Sequence, residues 1–296
     1  MISVIGGGLA GSLVALELAA LGDAVRLVEA ADGDHATALS YGLIRPGGGG
    51  PWQSLRRRHG IEGLQRRWLQ VGPRGLPLPA LQVDPLRFAG SVRAVLQRYG
   101  VTRCKQRLEN PTQLEPLLAQ GPVVLACGSA CRTLAPQLSD RLRSSWAGIL
   151  ELSSNPMAGP PWLARLPARF ERLALERRVA SLSGEAWIVD AALVPCGHRR
   201  LAGQITLVRP ALEAGPPPDP LTMEQRLRDG LARRWPPLAQ CPGLYRQAPV
   251  TFASDGVALA ERCGPDLWVL AGFSGAFTEL PAAAAALAVD IHRQSR

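Results

Sequence analysis

Three glycines at G-x-G-x-x-G spacing, between a short apolar run and a helix-forming stretch, constrain this chain more than any other feature. The opening reads MISVIGGGLAGSLVALELAALGDAVRLVEA. Ile2, Val4 and Ile5 predict a buried strand, and Leu13, Val14, Leu16, Leu18 and Leu21 recur at helical spacing, with Ala15 also a core position. Gly6, Gly8 and Gly11 fall between them. In such a turn the first glycine permits the reversal, the second lets a diphosphate approach the backbone, and the third lets helix and strand pack closely. The helix N-terminus then faces the anion. Gly22 ends the helix, and AVRLVE supplies a second strand closing on Glu29, where a carboxylate accepts ribose hydroxyls. These features together predict a dinucleotide site; the competing reading is a βαβ unit that binds nothing.

The rest of the chain is that of an ordinary globular protein. With 296 residues, 47% hydrophobic and 19% charged, it can bury a sizeable core in one or two domains. No segment approaches the roughly 18 uninterrupted apolar residues of a membrane span, and the apolar N-terminus is broken by glycines. Neither a span nor a signal peptide is expected, and the expected compartment is the cytoplasm. Cys104, Cys127, Cys131, Cys196, Cys241 and Cys263 show no C-x-x-C pairing and no histidines at zinc-ligand spacing, so free thiols and no metal site are expected. The net charge is +9, carried almost wholly by arginine, since Lys105 is the one lysine. The densest clusters, LRRRHG at 55–60 and ERLALERRV at 171–179, read as solvated helix faces in preference to a nucleic-acid patch.

Further along, SYGLIRPGGGGPW (40–52) reads as a loop, 85–99 as a helix and Val101 as the start of a strand. GPVVLACGSAC reads as a buried strand ending at Gly128. From Trp146 the pattern turns β-like, with AGILEL and EAWIVDAALVP as strands and GPPPDP as a breaker before a helix at 223–235. The C-terminal LWVLAGFSGAFTELPAAAAALAVDIHRQ returns to strand, glycine turn and helix. A doubly wound sheet binds ligands at the carboxyl ends of its strands, so Gly128 and Gly272 can share one site with Gly6.

Taken in order, these motifs resemble the D-amino-acid oxidase and glycine oxidase superfamily of FAD-dependent oxidoreductases. The resemblance implies an α/β protein with a Rossmann-like FAD-binding domain (1–47, 84–140 and 252–296) and a smaller, mainly antiparallel β substrate domain (48–83 and 141–251). It implies noncovalently bound FAD, with Gly6, Gly8, Leu9, Ala10 and Gly11 at the diphosphate, Glu29 at the ribose and the Leu108 backbone at the adenine. Ala126, Cys127 and Gly128 correspond to the second nucleotide motif, Cys127 standing as a structural residue. Ser40 and Gly42 of LSYGLIRP, and Gly272, Ser274, Gly275, Ala276, Phe277 and Thr278 of the closing motif, would approach the flavin. Amides at 274–278 would stabilise negative charge on the reduced ring.

Members of that family that act on amino acids hold the carboxylate with arginine, which grips it at two points. The corresponding stretches here are YRQAPVTFASDG and GFSGAF, so the substrate-side candidates are Arg45, Arg246, Tyr41 and Tyr245. The two tyrosines read as packing residues more readily than as catalytic ones, and His35 and His198 as solvent-facing. The leading expectation is hydride transfer from a small amine or amino acid to flavin N5, followed by hydrolysis of the imine. Two others stay open: a flavin-binding protein without independent turnover, completed by a partner, and a flavin oxidase of a modified tRNA base.

Overall fold

The computed structural model describes residues 1–30, 35–71, 77–152, 168–172, 186–197, 199–209, 211–233 and 235–296. The chain begins with β1 (Ile2–Ile5), α1 (Leu9–Ala20) and β2 (Val25–Glu29), the unit that the glycine spacing predicts. Next come β3 (Leu43–Ile44), α2 (Gly49–His59), β4 (Leu64–Val71), β5 (Pro77–Val83), α3 (Pro85–Arg98) and β6 (Thr102–Lys105). The middle holds α4 (Glu115–Leu118), β7 (Val123–Leu125), α5 (Ala130–Leu134), β8 (Leu142–Leu152), β9 (Ala168–Arg172), β10 (Ala186–Cys196) and β11 (Arg199–Val208). The chain closes with α6 (Pro220–Ala232), α7 (Pro236–Ala239), β12 (Gly243–Ala253), β13 (Leu259–Gly264), β14 (Leu267–Ala271) and α8 (Ala276–Gln294).

Two sheets organise the molecule. The first has the order β13-β14-β7-β1-β2-β6 and is parallel throughout except for β13. Its strands run as apolar stretches because both faces are covered. One face packs on α1, α3 and α8 through Leu13, Leu16, Phe88, Val92 and Leu287. The other packs on Leu114, Leu134 and Leu138. The chain winds outward from β1 through β2 to β6 and then returns to β7 on the other side of β1. The carboxyl ends of β1 and β7 therefore flank the point where the winding reverses.

The second sheet, β12-β8-β11-β10-β9-β4-β5-β3, is antiparallel except where β4 meets β9. Alternation sorts its side chains into two faces. Leu150, Leu152, Ile205 and Leu207 pack beneath α6, against Met223, Leu227 and Leu231. On the opposite face, Ile149, Val194, Leu201 and Ala248 pack against Leu39 and Tyr41 of the loop between the sheets.

Several boundaries differ from the sequence reading. Helix α6 starts at Pro220 rather than near 223, because the last two residues of GPPPDP make a helix start: the Asp219 carboxylate accepts from the Thr222 amide at 2.9 Å and Pro220 fills the first turn. Helix α2 begins inside the stretch read as loop, and its Trp52 and Leu55 are buried in the core shared with α1, α3 and α8. Residues 49–59 thus pack with the first layer, within the 48–83 stretch that the resemblance would place in the second. The arginine run falls on this helix: Arg56, Arg57 and Arg58 are exposed, while His59 is buried. Of the second arginine run only 171–172, in β9, are among the described residues; His198 lies outside them. Among the described residues no helix is long and apolar enough to cross a membrane, and no cluster of metal-ligating side chains occurs. All six cysteines are free.

Candidate cofactor and substrate site

The three fingerprint glycines have separate structural reasons. Gly6 has φ +116°, and a Cβ there would lie 2.5 Å from the Ala126 carbonyl oxygen, so it fits β1 against β7. A Cβ on Gly11 would lie 1.7 Å from the Gly6 carbonyl oxygen, so only glycine lets α1 seat on the turn. Gly8 is different. Among the described residues its Cβ would meet only Thr37 Oγ1, at 3.4 Å, so the fold leaves space beside it. Gly8 is also the N-cap of α1 and offers no side chain to the helix end. The Leu9 amide donates to Thr37 Oγ1 at 3.1 Å, which demonstrates that the helix start is aimed at an oxygen acceptor. A diphosphate oxygen has the same chemistry with added charge, which the helix end favours. The residues present therefore fit a dinucleotide diphosphate.

Glu29 ends β2 beside this turn. Its carboxylate lies over Gly7, where a Cβ would come within 2.1 Å of Oε2, and this explains the additional glycine. Oε1 accepts from Arg103 of β6. A cleft at this point is lined by Gly7, Gly8, Leu9, Glu29, Thr37 and Arg103, with Phe88, Val92 and Leu96 as its apolar floor. His35 is exposed as the sequence suggests, yet it also lines the cleft. Leu108 is buried in the core on the other face of the sheet. Ala126 adjoins Gly11, and Gly128 turns the chain with φ +61°. The Cys127 and Cys131 sulfurs are 3.6 Å apart. The Cys131 contact, with burial, pushes the Cys127 thiol well above its ordinary range, so it remains a neutral packing group.

At the other end of the site, the loop 40–48 is tied to the start of α8. The Arg45 amide donates to Thr278 Oγ1 at 2.9 Å, and the Arg45 guanidinium lies 3.6 Å from Glu279. Ser40 Oγ accepts from the Gly42 amide, and Gly42 (φ +65°) packs on the Val83 carbonyl. Gly275 caps α8, Ser274 and Ala276 precede and open it, and Gly272 (φ +85°) fits β14 against the Ala253 amide. Phe277 contributes a core side chain, stacked on Trp52 with ring centres 6.2 Å apart, so only its backbone is available to a ligand. Ala10 lies in the first turn of α1.

The substrate-side candidates separate. Tyr245 belongs to the face of the second sheet beneath α6: its ring lies on Gly148, whose Cβ would fall 1.9 Å from the phenol oxygen, and burial raises its pKa. Tyr41 is buried among residues of the opposite face, and burial followed by the Asp190 charge holds its phenol well above the usual value. Arg246 is directly opposite Ile149 and shares that second face. There Glu151 binds two arginines, Arg246 at 3.3 Å and Arg199 at 3.5 Å. The three lie on adjacent strands β12, β8 and β11, brought to one face by the pairings Leu244↔Glu151 and Glu151↔Leu201. Arg199 is 4% exposed; its Nη1 reaches the Ala38 carbonyl at 3.5 Å, and its Nε finds no partner among the described residues. Sequence reasoning missed Thr37, Arg103, Glu151 and Arg199. Only Arg103 had a local signal, a cation on the strand beside the one that ends in Glu29.

Residues 1–119 match the family model described as FAD dependent oxidoreductase (DAO). No curated protein matches the chain by sequence. Among solved structures the chain is similar to iminodiacetate oxidase from Chelativorans sp. BNC1, with TM-score 0.68, 13% identity, and coverage of 100% of this chain and 96% of that one. It is similar to glycine oxidase from Geobacillus kaustophilus, with TM-score 0.67, 15% identity, and coverage of 100% and 95%. A glycerol-3-phosphate dehydrogenase from Bacillus halodurans complexed with FAD has TM-score 0.66 and 14% identity, covering 99% of this chain and 64% of that one.

Proposed function

We propose that the protein, whose residues 1–119 match the FAD dependent oxidoreductase (DAO) model and whose chain takes the fold of iminodiacetate oxidase and glycine oxidase, oxidises the C–N bond of a small amine that carries a carboxylate. FAD, when bound, would supply the acceptor for the hydride on the carbon beside the amine, and hydrolysis of the resulting imine would give a carbonyl compound and the free amine. The protein's part is binding, orientation and charge. The amides at the start of α1 and the open space at Gly8 would hold the diphosphate, and Glu29 the ribose. The first turn of α8 would offer its amides to the flavin end, where partial positive charge favours an electron-rich ring.

The observation that carries the substrate class is the Arg199–Glu151–Arg246 fork. Two guanidiniums converge on one carboxylate on this face of the second sheet, and that of Arg199 is almost fully buried. A buried cation with an unmet N–H costs free energy that an arriving carboxylate would offset, and arginine forks bind carboxylates at two points. Arg45 is less suited, being exposed and already beside Glu279. The test is the rate of anaerobic flavin reduction by a panel of amines with and without a carboxylate. Arg199→Ala and Arg246→Ala should leave FAD content unchanged and lower kcat/KM for the carboxylated amine by about a hundredfold, since each ~1.36 kcal/mol of lost transition-state binding is tenfold. Reduction only by uncharged amines, or only by modified tRNA, would overturn the carboxylate reading.

A further inference from the structure

A carboxylate is an awkward neighbour for a diphosphate, and Glu29 sits at the turn where the diphosphate would bind. The carboxylate is 14% exposed, and Oε2 lies over Gly7, one residue from the helix start. Like charges brought together in a partly desolvated cleft oppose one another. The neighbouring strand supplies a counter-charge. Arg103, opposite Leu27 in the β2–β6 pairing, donates to Oε1, and both partners line the cleft. Its side chain is 32% exposed, so the pair is sheltered but not sealed.

We propose that Arg103 is a positioning residue for FAD: it neutralises Glu29 and pins one carboxylate oxygen so that the other is presented to the ribose. The inference rests on the FAD reading above. The division of labour follows from the geometry. Oε1 is committed to the guanidinium, and Oε2 faces the glycine turn with the adjacent Gln106 amide held by the Glu29 carbonyl at 2.8 Å. The backbone bond fixes where the carboxylate starts from, and the guanidinium fixes its rotation.

The pair lies at the adenosine end, so it acts on a ligand that carries the adenosine phosphate and ribose. FMN ends at the flavin phosphate and has no adenosine, so its binding is the internal control. The experiment measures FAD and FMN dissociation constants by flavin fluorescence for wild type, Arg103→Ala, Arg103→Lys, Glu29→Gln and the double variant Glu29→Gln/Arg103→Ala. Arg103→Ala should weaken FAD binding about tenfold or more, the range of a lost charge-assisted bond, and leave FMN binding unchanged. Arg103→Lys should recover part of that loss. The decisive comparison is the double variant: with Glu29 already neutral there is no repulsion to relieve, so removing Arg103 should cost little beyond the Glu29→Gln effect. Equal losses from Arg103→Ala in both backgrounds, or a parallel loss for FMN, would overturn the proposal by showing that Arg103 only supports the strand. If wild type binds neither flavin, the FAD reading itself fails, and that outcome is distinct from additivity.

Discussion

Alanine at Gly8 and alanine at Gly11 should have opposite consequences. The Gly11 Cβ would overlap the Gly6 carbonyl at 1.7 Å, so helix or strand must shift, an overpacking cost of about 1–3 kcal/mol. Gly8 has φ −75° and ψ −166°, a conformation open to any residue, and space beside it. Gly8→Ala, and more strongly Gly8→Val, should therefore melt near the temperature of the FAD-free wild type yet purify with little FAD, whereas Gly11→Ala should lose thermal stability even against that reference. Melting curves and flavin-to-protein ratios check both. The spacing made this much of the site legible, because each glycine answers a local requirement. The Arg199–Glu151–Arg246 fork was not legible: its members are separated by scores of residues and meet only through the register of β11, β8 and β12, which no local pattern encodes.

At the scale of single elements, the start of α3 was legible from its cap, and that of α2, which has none, was not. VDP predicts α3, and the Asp84 carboxylate accepts from the Leu86 and Arg87 amides at 3.0 and 3.3 Å. Asp84 is buried, so no water can replace it easily. Asp84→Ala should cost about 1–2 kcal/mol, a fall in melting temperature of roughly 2–8 °C for a chain of this size, and Asp84→Asn or Asp84→Ser should recover much of it. Helix α2 lacks any such cue. It starts from Gly48 with no side-chain cap, and its helical character comes from Trp52, wedged edge-on to Phe88 at 5.5 Å and stacked on Phe277. Tertiary packing decides this helix, and glycine-rich sequence conceals it. The reverse holds for α8, whose alanine-rich turns identify it before any contact is known.

For the whole molecule, cofactor and stability are linked. A ligand that binds only the native state at a hundred times its dissociation constant adds about 2.7 kcal/mol, so FAD should raise the melting temperature by roughly 5–10 °C. FMN, which cannot span from the α8 end to Glu29, should raise it less. Differential scanning fluorimetry with each flavin makes the comparison, and equal shifts would contradict a site that runs along the carboxyl ends of the strands from Glu29 to the start of α8. The two-layer architecture itself was legible from the change of pattern near Trp146, while the placement of α2 was not, because its burial depends in part on α8, where Phe277 is 225 residues from Trp52.

The strand order has a kinetic meaning as well. β14 pairs directly with β7, Trp268 opposite Val124, and the whole second-sheet excursion from β8 to β12 intervenes. A polypeptide emerging from the ribosome can assemble β1, β2, β6 and β7 early, but β7 then exposes an unpaired edge until residues 267–271 arrive. That is a long loop to close, and folding governed by such distant partners is slow and leaves sticky intermediates. During synthesis the nascent chain should accordingly be most in need of chaperone protection between the completion of β7 and the arrival of β14.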